Sequence, residues 1–176
     1  NEHVDKESAP SNQEVPSYVQ VVGAVYKNSD PSDIAVTAAG GLVGEVIQVW
    51  RPRELNTFET EWGFSCMSYE ISGALGIKMA NPDKEVISFV GDGSYLLNNT
   101  DIYSSVITNN KLIIIVCDNG GFAVINRLQL FKGGNEYNNL LKSKDYLGIP
   151  SGTTSEDTPL TAAINAAQET IDGYCN

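Results

Sequence analysis

The sequence predicts an α/β fold built on a mostly parallel sheet, and three observations carry that expectation. Two apolar runs rich in Val and Ile, one beginning at Val86 and one at Leu112, are separated by a helix-compatible stretch. Strand, crossover and strand make a β-α-β unit with parallel strands. Each run ends in a glycine-rich turn, Gly91-Asp92-Gly93-Ser94 after the first and Asp118-Asn119-Gly120-Gly121 after the second. A third short run, Ile34–Thr37, leads into Ala38-Ala39-Gly40-Gly41. Parallel strands joined by crossovers finish on one edge of the sheet, where ligands bind in open α/β folds. The ends of these runs are therefore expected to face one crevice.

The chain in order supports one domain after a polar start. Residues 1–16 are charged and Ser/Pro-rich without periodicity, and read as a linker or disordered arm; residues 17–176 read as the domain. Ser17–Lys27 has apolar residues at helical spacing, closed by Asn28-Ser29-Asp30-Pro31. Gly40-Gly41 is read either as a tight turn or as part of the ligand-facing edge. Leu42–Trp50 is predicted helical, and Arg51-Pro52-Arg53 is read as a solvated loop rather than an anion clamp. Glu61–Ala80 starts as an aromatic and glycine loop and becomes a helix, stopped by Asn81-Pro82-Asp83. Met67, at the junction, has a plain reading as a filler of irregular core gaps. Asn99–Asn109 and Phe122–Phe131 are amphipathic. Lys132–Asp145 is polar and glycine-containing, either a lid or a surface connection. Thr158–Ile171, with Pro159 in its first turn, is predicted as the last helix.

Composition narrows the partners. With 176 residues there is room for one sizeable core, and 41% of them are hydrophobic. The formal net charge of −11 opposes nucleic acid and anionic membrane surfaces as partners. No apolar stretch is long enough for a transmembrane helix, and no signal peptide is expected in the polar start. Cys66, Cys117 and Cys175 form no CxxC pair and are odd in number, which predicts reduced, buried thiols in a cytoplasmic protein. His3, the single histidine, lies in the polar start, so histidine is not expected as a catalyst.

The strand ends carry the chemistry. Asp92 and Asn119 each supply an oxygen, which suits a hard cation such as Mg2+. The Gly121 carbonyl, two diphosphate oxygens and a water would complete a near-octahedral set. Glycines at 91 and 93 let a phosphate approach the backbone. No Lys or Arg lies near Gly91–Ser94 in sequence, so a metal and backbone N–H groups are expected to carry the diphosphate charge. The plain alternative is a Rossmann-like sheet with ordinary turns at its strand ends.

GDGS…CDNGGF resembles the signature of thiamine-diphosphate enzymes, in which GDG is followed by an Asn pair. Asp118 departs from the first Asn of that pair; Asn119 keeps the second, the metal ligand. Cys66–Ala74 is similar to the family's M-G-[YF]-x-[LI]-P-A-A segment, with Ser68 and Ser72 in place of Gly and Pro. The resemblance implies a three-layer, doubly wound, mostly parallel sheet that binds thiamine diphosphate and Mg2+. It implies Asp92, Asn119 and Gly121 as metal ligands, and Gly40, Gly41, Ser65, Met67, Gly91, Gly93, Ser94 and Phe122 around the cofactor. By the same match Met67 props the thiamine into its bent form, and the Ser65 carbonyl accepts from the aminopyrimidine.

Within that superfamily, TAAGGLVGEVIQVWR, EWGFSCMSYEISGALGIKMANPDKEV and GFAVINRLQ most resemble the trihydroxycyclohexanedione hydrolases of inositol catabolism. Val43 and Glu45 depart from that pattern, which has Pro and Asp there. The resemblance implies C–C bond hydrolysis of a cyclic polyol 1,2-dione to 5-deoxyglucuronate, with the cofactor as electron sink. In these enzymes the activating Glu comes from a pyrimidine-binding domain of the same or a neighbouring subunit, and Glu70, behind Met67, is not its substitute. The chain is therefore expected to be the C-terminal cofactor domain of a longer homo-oligomeric enzyme, inactive alone, with a strand near Ile149–Thr154 abbreviated. The competing readings are an acetolactate-synthase-like carboligase domain, a non-catalytic diphosphate-binding module, and a purely structural α/β domain.

Overall fold

The computed structural model describes residues 2–9 and 15–135. Its strands are β1 (Ile34–Thr37), β2 (Phe58–Thr60), β3 (Val86–Gly91) and β4 (Ile113–Cys117). All pair in parallel, in the order β2-β1-β3-β4. The helices are α1 (Glu2–Glu7), α2 (Tyr18–Asn28), α3 (Leu42–Val49), α4 (Tyr69–Ala80), α5 (Asp92–Leu97), α6 (Thr100–Ile107) and α7 (Ala123–Phe131).

Every residue of β1 is buried, and so is β3 up to Val90. Continuous burial is what a parallel strand covered on both faces requires. The two faces separate by the period of two. Ala35, Ile87 and Phe89 meet Val22 of α2 and Leu42, Val46 and Val49 of α3. Ile34, Val36 and Val86 meet Ala74 and Leu75 of α4. With α6 beside α4, the sheet lies between two helical layers, the expected three-layer, doubly wound form. The chain goes outward from β1 to β2, then returns through α4 to β3 on the other side of β1. That reversal places a crevice beyond the ends of β1 and β3.

Local chemistry sets the element ends. Ser17 and Gln20 form a reciprocal capping box that starts α2, with bonds of 2.9 and 3.3 Å. Trp50, just past α3, stacks edge-on between Tyr26 and Phe89 at 5.4 and 5.8 Å. Buried Lys78 donates to the Pro82 and Lys84 carbonyls and so ties the turn after α4.

Four expectations are corrected. Residues 2–7, expected to be without secondary structure, form α1, because tertiary packing supplies what periodicity lacks. Val4 packs against the core, and Asp5 pairs with Arg51 at 2.7 Å. Ser8 seats so closely on α2 that a Cβ on Gly23 would lie 2.6 Å from its own. Strand β2 was not expected: three residues, two half-buried around an exposed Glu59, are too few to show a period. Arg51 and Arg53 are anchors rather than merely solvated. Arg53 bonds the Ser29 and Asp30 carbonyls and lies 4.8 Å over the Tyr26 ring. Cys117 is buried as expected, but Cys66 is exposed. Cys175, the helix expected at Thr158–Ile171, the strand near Ile149–Thr154 and most of the 132–145 loop lie outside the described residues. Among the described residues, no helix is long and apolar enough to cross a membrane.

Candidate functional site

The crevice predicted by the topology is a cavity of about 230 Å3. Strand pairing brings its parts together: Gly91, the last residue of β3, pairs with Cys117, the last of β4. Asp92 and Asn119 therefore follow adjacent strand ends. Every site residue expected from the sequence lines this cavity. Gly40 and Gly41 follow β1. Gly91, Asp92, Gly93 and Ser94 pass from β3 into α5. Asn119, Gly121 and Phe122 follow β4, and Ser65 and Met67 come from the loop before α4.

Backbone conformation explains several of these residue types. Gly40 has φ +79° and Gly121 φ +144°, conformations that favour glycine. Gly93 is needed for space instead. A Cβ there would meet the Phe122 ring at 2.6 Å. Met67 is 37% exposed at the cavity wall, so it is no core filler. Ser65 and Ser68 flank it with φ values of 51° and 73°.

Asp92 is the electrostatic centre. It is 4% exposed, and its Oδ2 is buried without a hydrogen-bond partner. Burial pushes its pKa up first, and the nearby Asp118 carboxylate pushes it further, against the N–H groups of Gly93 and Asn119. An ionised carboxylate so placed is costly unless a cation joins it. The Asn119 amide nitrogen donates to the Tyr18 hydroxyl, which leaves the amide oxygen as its acceptor atom. Among the described residues, no group of three or more His, Cys, Asp or Glu side chains gathers to hold a metal. The donors lining the cavity are the Asp92 carboxylate, the Asn119 amide and main-chain carbonyls, an oxygen set that suits Mg2+ rather than a soft metal.

Behind the cavity, Glu70 is 1% exposed. Its Oε1 accepts from the Ala39 N–H at 3.1 Å, and its Oε2 is buried without a hydrogen-bond partner. Ser68 Oγ donates to the Ser94 carbonyl at 2.7 Å. These bonds lock the Met67 loop, the end of β1 and the start of α5 into one wall.

Sequence reasoning missed the two polar lining side chains Tyr18 and Arg127, besides apolar ones such as Leu42 and Ile125. Tyr18 comes from the far start of α2 and has no local signal. Its hydroxyl pKa is raised, chiefly by burial. Arg127 brings to the cavity wall a basic side chain that is distant in sequence from Gly91–Ser94. It lies four residues after cavity-lining Ala123 on α7, and residues at that spacing share a helix face. A helix-face reading from the strand end would have found it.

Comparison with known proteins adds to this geometry. A 3D-(3,5/4)-trihydroxycyclohexane-1,2-dione hydrolase of Bacillus licheniformis is 37% identical over 136 residues, covering 73% of this chain and 21% of the relative. A hydrolase of the same name from Lacticaseibacillus casei is 42% identical over 126 residues, covering 72% and 20%. The chain thus spans about a fifth of the length of the curated relatives it matches. Among solved structures, the Rhodococcus jostii RHA1 thiamine diphosphate-dependent 4-hydroxybenzoylformate decarboxylase superposes with TM-score 0.68 at 19% identity, over 75% of this chain and 25% of that one. That likeness shows the shared fold. Residues 38–170 match the C-terminal TPP binding domain of thiamine pyrophosphate enzymes, and the chain belongs to that family.

Proposed function

We propose that the cavity binds thiamine diphosphate through Mg2+, and that the chain is the cofactor domain of a hydrolase that opens a cyclic 1,2-dione by C–C cleavage. The observation that carries the cation is Asp92 Oδ2, buried without a partner beside Asn119 and Gly121. Asp92, the Asn119 amide oxygen and the Gly121 carbonyl would hold Mg2+. Gly40, Gly41, Gly91, Gly93, Ser94 and Phe122 would line the diphosphate, and Ser65 and Met67 the thiamine. Bound there, the cofactor supplies an electron sink for breaking a C–C bond. The chain's own residues bind and orient it: Phe122 packed on Gly93 closes one wall, and Ser68 and Glu70 fix the loop that carries Met67.

The name of the relatives supports a trihydroxycyclohexanedione as substrate, hence 5-deoxyglucuronate as product and inositol catabolism as setting. No glutamate lines the cavity among the described residues. The activating Glu is accordingly assigned to a pyrimidine-binding domain of the same or a neighbouring subunit, in a cytoplasmic homo-oligomer.

A thermal-shift titration tests the cation site. Thiamine diphosphate at a hundredfold excess over Kd, with Mg2+, should stabilise the chain by about 2.7 kcal/mol. In Asp92→Asn the Mg2+-dependent part should vanish, while the ligand-free transition stays cooperative. An equal Mg2+-dependent shift in the variant would refute Asp92 as a ligand.

A further inference from the structure

The cavity contains one basic side chain among its described lining residues, and nothing proposed so far uses it. Arg127 projects from α7, and its Nη2 lies 2.8 Å from where a Cβ on Gly41 would stand. Gly41 has φ −75° and ψ −27°, a conformation open to any residue. Gly40 beside it has φ +79° with nothing within 4 Å of its Cβ position. The two glycines therefore serve different ends. Gly40 allows the turn, whereas Gly41 vacates a seat for the guanidinium. The ion pairs among the described residues engage Arg51 and Lys111, not Arg127.

Charge gives the seat a purpose. A terminal phosphate carries about −1.5 to −2 charge near pH 7. The divalent cation is partly offset by Asp92 when that group is ionised, and the chain's formal net charge of −11 adds repulsion. A second cation is needed away from the metal. A guanidinium matches phosphate oxygens with a planar pair of donors. Resting on the diphosphate reading above, we propose that Arg127, seated on Gly41 at the β1 side of the cavity, forms the subsite for the terminal phosphate.

The test is calorimetric titration of the full chain, in Mg2+, with thiamine diphosphate and with thiamine monophosphate, which lacks the terminal group. Arg127 is exposed, so Arg127→Gln should keep the wild-type melting temperature. It should weaken thiamine diphosphate binding about tenfold to a hundredfold and leave monophosphate binding nearly unchanged. Arg127→Lys should fall between, because a point charge does not reproduce the fork. Gly41→Ala, which puts a methyl against Nη2, should also weaken the diphosphate selectively. Wild-type affinity for thiamine diphosphate in Arg127→Gln, or an equal loss for both ligands, overturns the subsite while the diphosphate reading stands. Failure of the wild type to bind thiamine diphosphate overturns that reading, and this inference with it.

Discussion

Ser68 stands where the resembling family has glycine, and its φ of 73° shows why glycine belongs there. A left-handed conformation costs a residue with a Cβ about 1–2 kcal/mol. The serine hydroxyl offsets part of this by donating to the buried Ser94 carbonyl at 2.7 Å, and a net hydrogen bond contributes about 0.5–1.5 kcal/mol. The two terms nearly cancel, which explains how a serine is tolerated. Two variants separate them. Ser68→Ala loses the bond and keeps the strain, and should destabilise by about 1 kcal/mol. Ser68→Gly loses both, and should be more stable than the alanine variant by about 0.5–1 kcal/mol after glycine's extra unfolded-state entropy. Urea denaturation at constant slope measures both, and an alanine variant at least as stable as the glycine variant would contradict the strain argument.

Glu70 couples elements rather than residues, since its carboxyl joins α4 to the end of β1 through Ala39 and its main-chain carbonyl accepts from Ser88 of β3. Burial raises its pKa above the ordinary 4.5, the largest influence, with backbone N–H groups opposing it. The sign follows from proton counts. Above pH 4.5 the unfolded chain loses this proton before the folded chain does, so the folded state binds more protons and stability falls as pH rises through the folded pKa. Below pH 4.5 both states hold the proton and the penalty is absent. Gln carries no such charge and keeps an oxygen for Ala39. Glu70→Gln should therefore melt higher than wild type at pH 7, with the difference shrinking toward pH 4; a pH-independent difference would show that the carboxyl titrates alike in the folded and unfolded chain and that Gln acts by packing alone. The same joint shows what the sequence made legible. Strands β1, β3 and β4 were readable because each is a short run dominated by Val and Ile, whether buried as in β1 and β3 or half-buried at the sheet edge as in β4, and their glycine-rich ends located Asp92, Asn119 and Gly40 without any tertiary knowledge. Helix α1 and strand β2 were not, because their stability comes from contacts with distant residues, Arg51 onto Asp5 and the β1 edge onto Phe58. Tyr18 was hidden for the same reason, whereas Arg127 was hidden only because the helix leaving β4 was read for its apolar face.

At the scale of the molecule, a chain that spans about a fifth of its relatives' length has a cavity of about 230 Å3 and an unusual rim. Trp62 and Phe64 in the loop before Met67 are 59% and 90% exposed. Large apolar side chains beside a ligand cavity are a surface that another domain would cover. In the proposed reading that domain brings the activating glutamate and excludes water from the thiamine end, two contributions that Asp92, Asn119 and Arg127 at the diphosphate end do not replace. Binding and turnover should therefore separate. The purified chain, supplied with Mg2+, thiamine diphosphate and the cyclic dione, should open the ring at least about 10²- to 10⁴-fold more slowly than the full-length enzyme, the range that one general acid–base group contributes. Ring opening followed by loss of the dione measures this. Comparable turnover by the chain alone would mean that its own residues complete the active site, and that the glutamate assigned to another domain is not required.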